Sequence, residues 1–329
     1  MRVELARFHR TLRRGAPAAL ALLLAQAFAA PTPAAELLRV GKSVSEAFSF
    51  VPLDVGVETG IFRRHGIEIE ASALFGGGRL QQALAADSID IGLGSGPEMA
   101  AIEKGSPVKA VAAMAGSPRL IALLARPDPA IVSVDDMRGR KVGVTTANSL
   151  TAWLVSELAR QRGWGPDGIA VTPLGANAAQ FAALKTRQID GLTADIATLL
   201  QAEANGAGRI VFRFGDLVKD FHIHVIFASN KLIAQKPDAL RAFLKGWFET
   251  IAFMRADRAK TIEIAKRVIS VDPAITERTY DELMPMFSAD GRFDAKALAV
   301  LSRSYVELKI LPAEPDMKRF YTEAFLPQP

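Results

Sequence analysis

Thr145, Thr146, Asn148 and Ser149 put three hydroxyls and a carboxamide into a run of five residues. They lie just ahead of an amphipathic stretch, Ser149 to Arg162, that reads as a helix. The first amides of a helix have no partner within it, so such a run makes a seat for an anion. It also reads as an ordinary N-cap, although capping explains one of the four well and all four poorly. His222 and His224 stand two apart in a segment that alternates like a strand. Their side chains would share a face and could hold a metal with a nearby carboxylate. The plainer reading is a strand whose polar face lines a cleft or meets solvent. Gly92-Leu93-Gly94-Ser95-Gly96 and Gly76-Gly77-Gly78 lack the spacing of a dinucleotide fingerprint, and neither is followed by the Lys and Ser or Thr of a P-loop. No Ser-His-Asp order with a nucleophile elbow occurs, and there is no cysteine. The residues advertise binding more than catalysis, with no cofactor and no metal expected.

These residues sit in a chain that alternates short apolar strands with amphipathic helices from Leu37 onward. Strands are expected at Leu38–Gly41, Gly66–Glu70, Ile89–Leu93, Val108–Met114 and Leu120–Ala125, with helices between. The pattern restarts with strands at Lys141–Val144, Ala170–Leu174, Gly191–Thr193 and Arg209–Phe214. Two α/β units then meet near Arg126 and again near Asp220 to Ile226, where His222 to Ala228 carries the chain back. From Pro237 the character becomes helical, with aspartates at 257, 272, 294 and 316 placed as N-caps. This order predicts an α/β protein with mainly parallel sheets and helices on both faces. Ligands of such sheets gather where strand-to-helix loops meet. Those loops are Ser43–Phe50, Phe75–Arg79, Gly94–Glu98, Ala115–Arg119, Thr145–Ser149, Gly175–Asn177 and Ala194–Asp195.

The first 35 residues decide how the composition reads. Arg2, Arg7, Arg10, Arg13 and Arg14 precede a run of Ala and Leu from Ala16 to Ala30, followed by small residues and prolines. This is the layout of a cleavable secretory signal peptide, with Ala27-Phe28-Ala29 as small residues for cleavage. The apolar run is short of the ~20 residues that span a bilayer. Thr11-Leu12-Arg13-Arg14 leaves open a twin-arginine export route. Five of the 40 Lys and Arg and one of the 35 acids lie in this leader, so the formal charge of +5 falls to about +1 without it. Nucleic acid is therefore not an expected partner. Without cysteine the exported chain has neither disulfides nor a lipid anchor.

Beyond these patterns, Ile61 to Leu84 (IFRRHGIEIEASALFGGGRLQQAL) resembles the periplasmic binding proteins for nitrate, taurine and alkanesulfonates. Those proteins share a group with thiamine-pyrimidine-synthase-like bacterial proteins. The resemblance continues through Asp87 to Ile91, Val134 to Val144 and Gln188-Ile189-Asp190-Gly191, and covers about Leu37 to Lys260. It implies a two-lobed type II flytrap that clasps a small solute and hands it to the permease and ATPase of an inner-membrane ABC transporter. The implied divisions are a leader over 1–35, the first part of lobe 1 over 36–123, lobe 2 over 124–221, and the return to lobe 1 with C-terminal helices over 222–329. Carried over by position, the implied ligand contacts are Ser45, Phe48, Phe50, Gly77, Ser95, Glu98, Ser117, Thr146, Asn148, Asn177, Asp195 and His222.

The departures from the family pattern bear on the solute. Thr145-Thr146-Ala147-Asn148-Ser149 stands where sulfonate and taurine binders usually show Gly-Ser-Thr-like residues, and Thr193-Ala194-Asp195 stands where many members have proline. Glu98 and Asp195 would then be two acids facing the cleft, a setting that suits an amine or a hydrogen-bond-donating heterocycle better than a plain sulfonate. Both acids also read as N-caps or inter-lobe contacts. The implied protein is periplasmic, not an enzyme, and monomeric by default, with a membrane sensor as an alternative partner. The pyrimidine-synthase activity in the same group depends on a cysteine-rich motif and iron, and this chain has no cysteine.

Overall fold

The computed structural model describes residues 35–328. The expected leader lies, but for its last residue, outside the described residues. Among the described residues, ten strands form two five-stranded sheets of the same design. The first contains β1 (Glu36–Lys42), β2 (Ile67–Ala73), β3 (Ile91–Ser95), β4 (Val108–Ala115) and β10 (His224–Ser229), in the order β2-β1-β3-β10-β4. The second contains β5 (Ile121–Ala125), β6 (Lys141–Val144), β7 (Ala170–Pro173), β8 (Gly191–Asp195) and β9 (Arg209–Arg213), in the order β7-β6-β8-β5-β9.

In each sheet one strand opposes the other four. β10 pairs antiparallel with β3 and β4, and β5 pairs antiparallel with β8 and β9. The remaining pairings, β1 with β2 and β3 and β6 with β7 and β8, are parallel. The odd strand in each case is the one the chain enters directly from the other sheet. It arrives at the carboxyl edge, where its neighbours end, and so must run against them. The pairing register shows this, because His224 at the start of β10 lies opposite Ser95 at the end of β3. Likewise Ile121 at the start of β5 lies opposite Asp195 at the end of β8. The expected lobe boundary between residues 123 and 124 falls inside β5, whose pairing places all of it in the second sheet.

The helices needed below are α1 (Val51–Glu58), α2 (Ile61–Arg64), α3 (Gly77–Ala85), α4 (Ala100–Glu103), α5 (Leu150–Gln161), α6 (Asn177–Lys185) and α7 (Ile196–Ala204). After β10 come α8 (Asn230–Gln235), α9 (Pro237–Ala256), α10 (Arg258–Ile269), α11 (Pro273–Leu283) and α12 (Ala295–Glu307). Asp257, Asp272 and Asp294 each accept an amide at the start of α10, α11 and α12. Asp316 does the same for a 3₁₀ turn at Met317–Arg319. The first-turn amides that these side chains satisfy would otherwise be orphaned. Phe62 of α2 stacks on Phe243 of α9 at 5.2 Å, fixing that long helix to the first sheet's outer layer. α12 fastens the two halves together. Its Tyr305 hydroxyl donates to the Gly96 carbonyl at 2.9 Å, and its Ser304 hydroxyl accepts from Trp153 Nε1 of α5 at 3.0 Å. Among the described residues no helix is long and apolar enough to cross a membrane.

Candidate functional site

The carboxyl ends of β1, β3, β6 and β8 and the first residues of β5 and β10 converge on one partly open cavity of about 50 Å³. The first sheet contributes Ser43 to Ala47 without Ser45, the Gly76-Gly77 turn, Ser95, Glu98 and His224. The second contributes Thr145, Ser149, Thr151, Asn177, Thr193 and Asp195, with Leu120 and Ile121 as an apolar wall.

Glu98 owes its position to a short 3₁₀ turn, Gly96–Met99, capped by Ser95. Its Oε2 accepts the Ser95 amide at 3.1 Å and its Oε1 the Ser95 hydroxyl at 2.7 Å. The carboxyl lies against two glycines. A Cβ on Gly77 would sit 1.7 Å from Oε1, and one on Gly94 2.4 Å from Oε2, so only glycine leaves room at either position. Burial pushes the Glu98 carboxyl up to about 7, against the opposing pull of its two Ser95 bonds. Asp195 caps α7, its Oδ1 accepting the Ala197 amide at 2.9 Å while Oδ2 accepts the Phe48 amide from the other sheet at 3.3 Å. Burial raises it to about 7 as well, opposed by those two amides and reinforced by Glu46. Neither acid has a basic partner among the described residues.

His224 Nδ1 lies 2.9 Å from the Gly94 carbonyl, which can only accept, so the proton sits on Nδ1 and Nε2 carries a lone pair. That Nε2 is buried without a hydrogen-bond partner. Burial lowers the imidazole to about 4, partly offset by the Gly94 carbonyl, so the ring is neutral at pH 7. On the facing sheet, Ser149 donates to the Thr146 carbonyl at 2.7 Å and lies 2.9 Å from Thr151 Oγ1. Thr151 Oγ1 in turn lies 3.3 Å from Thr145 Oγ1 and accepts the Thr145 amide at 3.2 Å. Since the Ser149 proton is already committed, Thr151 donates to Ser149 and Thr145 to Thr151. Of the hydroxyls that read as an anion seat, those of Thr145 and Ser149 spend their protons on Thr151 and on the Thr146 carbonyl. Three bonds cross between the sheets at the rim: Gly78 N to Thr146 Oγ1 at 3.1 Å, Asn177 Nδ2 to Glu46 Oε2 at 3.4 Å, and Phe48 N to Asp195.

Of the residues picked from sequence, Gly77, Ser95, Glu98, Asn177 and Asp195 border this cavity. The others do not. Phe48 and Phe50 are fully buried, because their 3₁₀ turn swings both rings back into the core. There Phe48 meets Tyr280 and Phe287, and Phe50 meets His224 edge-on at 4.8 Å. Ser45 is a half-buried residue of the loop after β1. Ser117 lies in the β4–β5 crossover, where its carbonyl accepts the Arg119 amide. Thr146 is occupied in holding Gly78, and Asn148 is exposed in a separate recess of about 410 Å³ that touches the cavity only through Glu98 and Ser149. His222 turns away, its Nε2 accepting the Asp294 amide at 2.9 Å and its ring meeting Phe293. The period-two argument joining it to His224 fails because β10 begins only at His224. Glu46, Thr151 and Thr193 border the cavity without having been picked, as does His224, weighed only as a metal ligand beside His222; its place at the start of the returning strand was the available signal.

The sequence profile described as NMT1/THI5 like matches residues 47–260, more than half of the chain. The chain belongs to the NMT1/THI5-like family. A relative of this family member in Brucella abortus is 22% identical over 226 residues, covering 68% of this chain and 69% of its own length, and its name specifies no solute. Among solved structures, the alkanesulfonate-binding protein SsuA from Xanthomonas axonopodis pv. citri, bound to MOPS, superposes with a TM-score of 0.74 at 18% identity. It covers 89% of this chain and 98% of that one. The ligand-binding component of an ABC-type import system from Staphylococcus aureus, with zinc bound, gives 0.73 at 16% identity, covering 88% and 97%. At these identities the NMT1/THI5-like chain shares their two-lobed periplasmic-binding-protein fold. Among the described residues, no three His, Asp or Glu side chains of this family member converge to hold a metal ion.

Proposed function

We propose that this protein is the solute-binding component of an ABC importer. On this reading it is exported by its leader, works in the periplasm as a monomer, and delivers a small organic solute to a permease and its ATPase. The observation that supports it is the cavity itself, walled by the ends of both sheets and closed by bonds between them from Gly78, Phe48 and Asn177. Solute contacts made by both lobes at once favour the closed arrangement by their differential affinity. The role is that of a binder: the acids and the imidazole of the cavity are held by Ser95, by the amides of Phe48 and Ala197 and by the Gly94 carbonyl.

The experiment compares cells with and without the gene for uptake of solutes, beside small-angle scattering of the purified, ligand-stripped protein. Uptake that depends on the gene, and a radius of gyration that shrinks with the transported solute, are the expected results. Loss of the gene without effect on any uptake, from cells that process and export the protein, would overturn the transport reading.

A further inference from the structure

Resting on the solute-binding reading, we propose that the solute is a compact organic cation rich in N–H donors, an amine or amidinium, and not a sulfonate or nitrate. The cavity is bordered by Glu46, Glu98 and Asp195 and by no lysine or arginine. Glu98 and Asp195 are each more than nine-tenths buried and unpaired with any base among the described residues. A carboxylate in that position is costly until an opposite charge joins it.

His224 points independently to the same chemistry. It too is more than nine-tenths buried, it borders the cavity, and its Nε2 is an acceptor without a partner. A buried acceptor left unmade is destabilising, and a ligand N–H satisfies it.

Several side-chain donors that an anion would need are already committed. The Ser95 hydroxyl is given to Glu98, the Thr193 hydroxyl to the Gly143 carbonyl, the Ser149 hydroxyl to the Thr146 carbonyl and one of the two Asn177 amide hydrogens to Glu46. The positive end of α7 is answered by Asp195 itself. With these donors spent, the ionisable side chains bordering the cavity are three acids and one imidazole whose Nε2 accepts. A metal ion is a poor occupant, because no three ligating side chains converge among the described residues. At about 50 Å³ in this closed arrangement the space is that of a few waters, which fits a small ammonium or amidinium head.

The test is isothermal titration of ligand-stripped protein with ethanolamine, acetamidine and guanidine as cations, methanesulfonate and nitrate as anions, and cytosine as a neutral heterocycle. Saturable binding of a cation, weakened at least about tenfold by Glu98→Gln and separately by Asp195→Asn, with no heat from the anions, is the expected result. The second variant keeps the test decisive should one fail to fold. Binding of methanesulfonate, nitrate or cytosine in place of the cations would overturn the cation class and leave solute binding standing. Unchanged cation affinity in both variants would overturn it too, by placing the cation elsewhere. Failure of every probe, with no gene-dependent uptake of any solute, would overturn the inference together with the reading beneath it.

Discussion

Glu98→Gln should relieve the folded protein of a destabilisation that grows with pH. The Glu98 carboxyl ionises near 4.5 when exposed and near 7 in its buried cradle. Between those values the unfolded chain has given up its proton while the folded chain keeps it. The stability that the neutral carboxyl contributes is therefore complete below about pH 4.5 and is lost as pH rises through about 7. A gap of about 2.5 units is worth ~3 kcal/mol, reached near pH 8, and less than ~1 kcal/mol has been lost by pH 5. A carboxamide keeps the local bonds, its oxygen accepting the Ser95 amide and its NH₂ donating to the Ser95 hydroxyl, and it stays neutral throughout. At roughly 2 °C per kcal/mol for a chain of this size, the variant should unfold about 6 °C above the wild type at pH 8 and close to level with it at pH 5. The comparison must be between the two proteins, because other groups act in the wild-type profile. Asp195, raised to about 7, works in the same direction. His224, lowered to about 4, works in the opposite one, its neutral form stabilising above pH 6.5 and losing that contribution as pH falls toward 4. Both cancel in the difference. The assay is thermal unfolding of ligand-free protein at half-unit steps from pH 5 to 8. Two parallel curves would refute the reasoning, since a constant offset reports packing and not a buried charge.

Three further outcomes follow from named contacts. Gly77→Ala sets a Cβ 1.7 Å from Glu98 Oε1, so the carboxyl must leave Ser95. A loss of ~1–3 kcal/mol in unfolding free energy is expected, and an unshifted midpoint would show that the cradle gives way freely. Thr146→Val removes the acceptor for the Gly78 amide between the sheets. Hydrogen exchange at Gly78 should quicken and stability fall by ~0.5–1.5 kcal/mol; unchanged exchange would deny this bond a part in closure. His222→Ala orphans the Asp294 amide at the start of α12. It should cost ~1–3 kcal/mol by thermal or denaturant unfolding while leaving solute affinity alone, whereas weakened affinity at full stability would return His222 to the site.

Much of the fold was legible because its signals are local. The alternation of short apolar runs with amphipathic stretches fixes strand and helix over a few residues at a time. The aspartates at 257, 272, 294 and 316 announce helix or turn starts for a reason confined to one turn of backbone. The return of His222 to Ala228 toward the first sheet was visible as a second change of pattern. Gly77, Ser95, Glu98, Asn177 and Asp195 were reachable because strand ends in an open α/β sheet all face one edge, and each lies within a few residues of one.

Other features depended on distance along the chain. The direction of the Phe48 and Phe50 rings was decided by room in a core that includes Tyr280 and Phe287, more than 200 residues away. His224 came to the cavity, and His222 left it, because pairing with Ser95 begins at His224, two residues past His222. The commitment of the Thr145, Ser149 and Thr151 protons followed from the fit of one helix start against one strand end. By itself, then, the sequence determined where strands, helices and caps lie, since those obey forces acting between near neighbours. Only the tertiary structure decided which polar groups at the cleft are satisfied and which are left open, because a buried donor or acceptor is settled by whatever the rest of the chain brings within 3 Å of it.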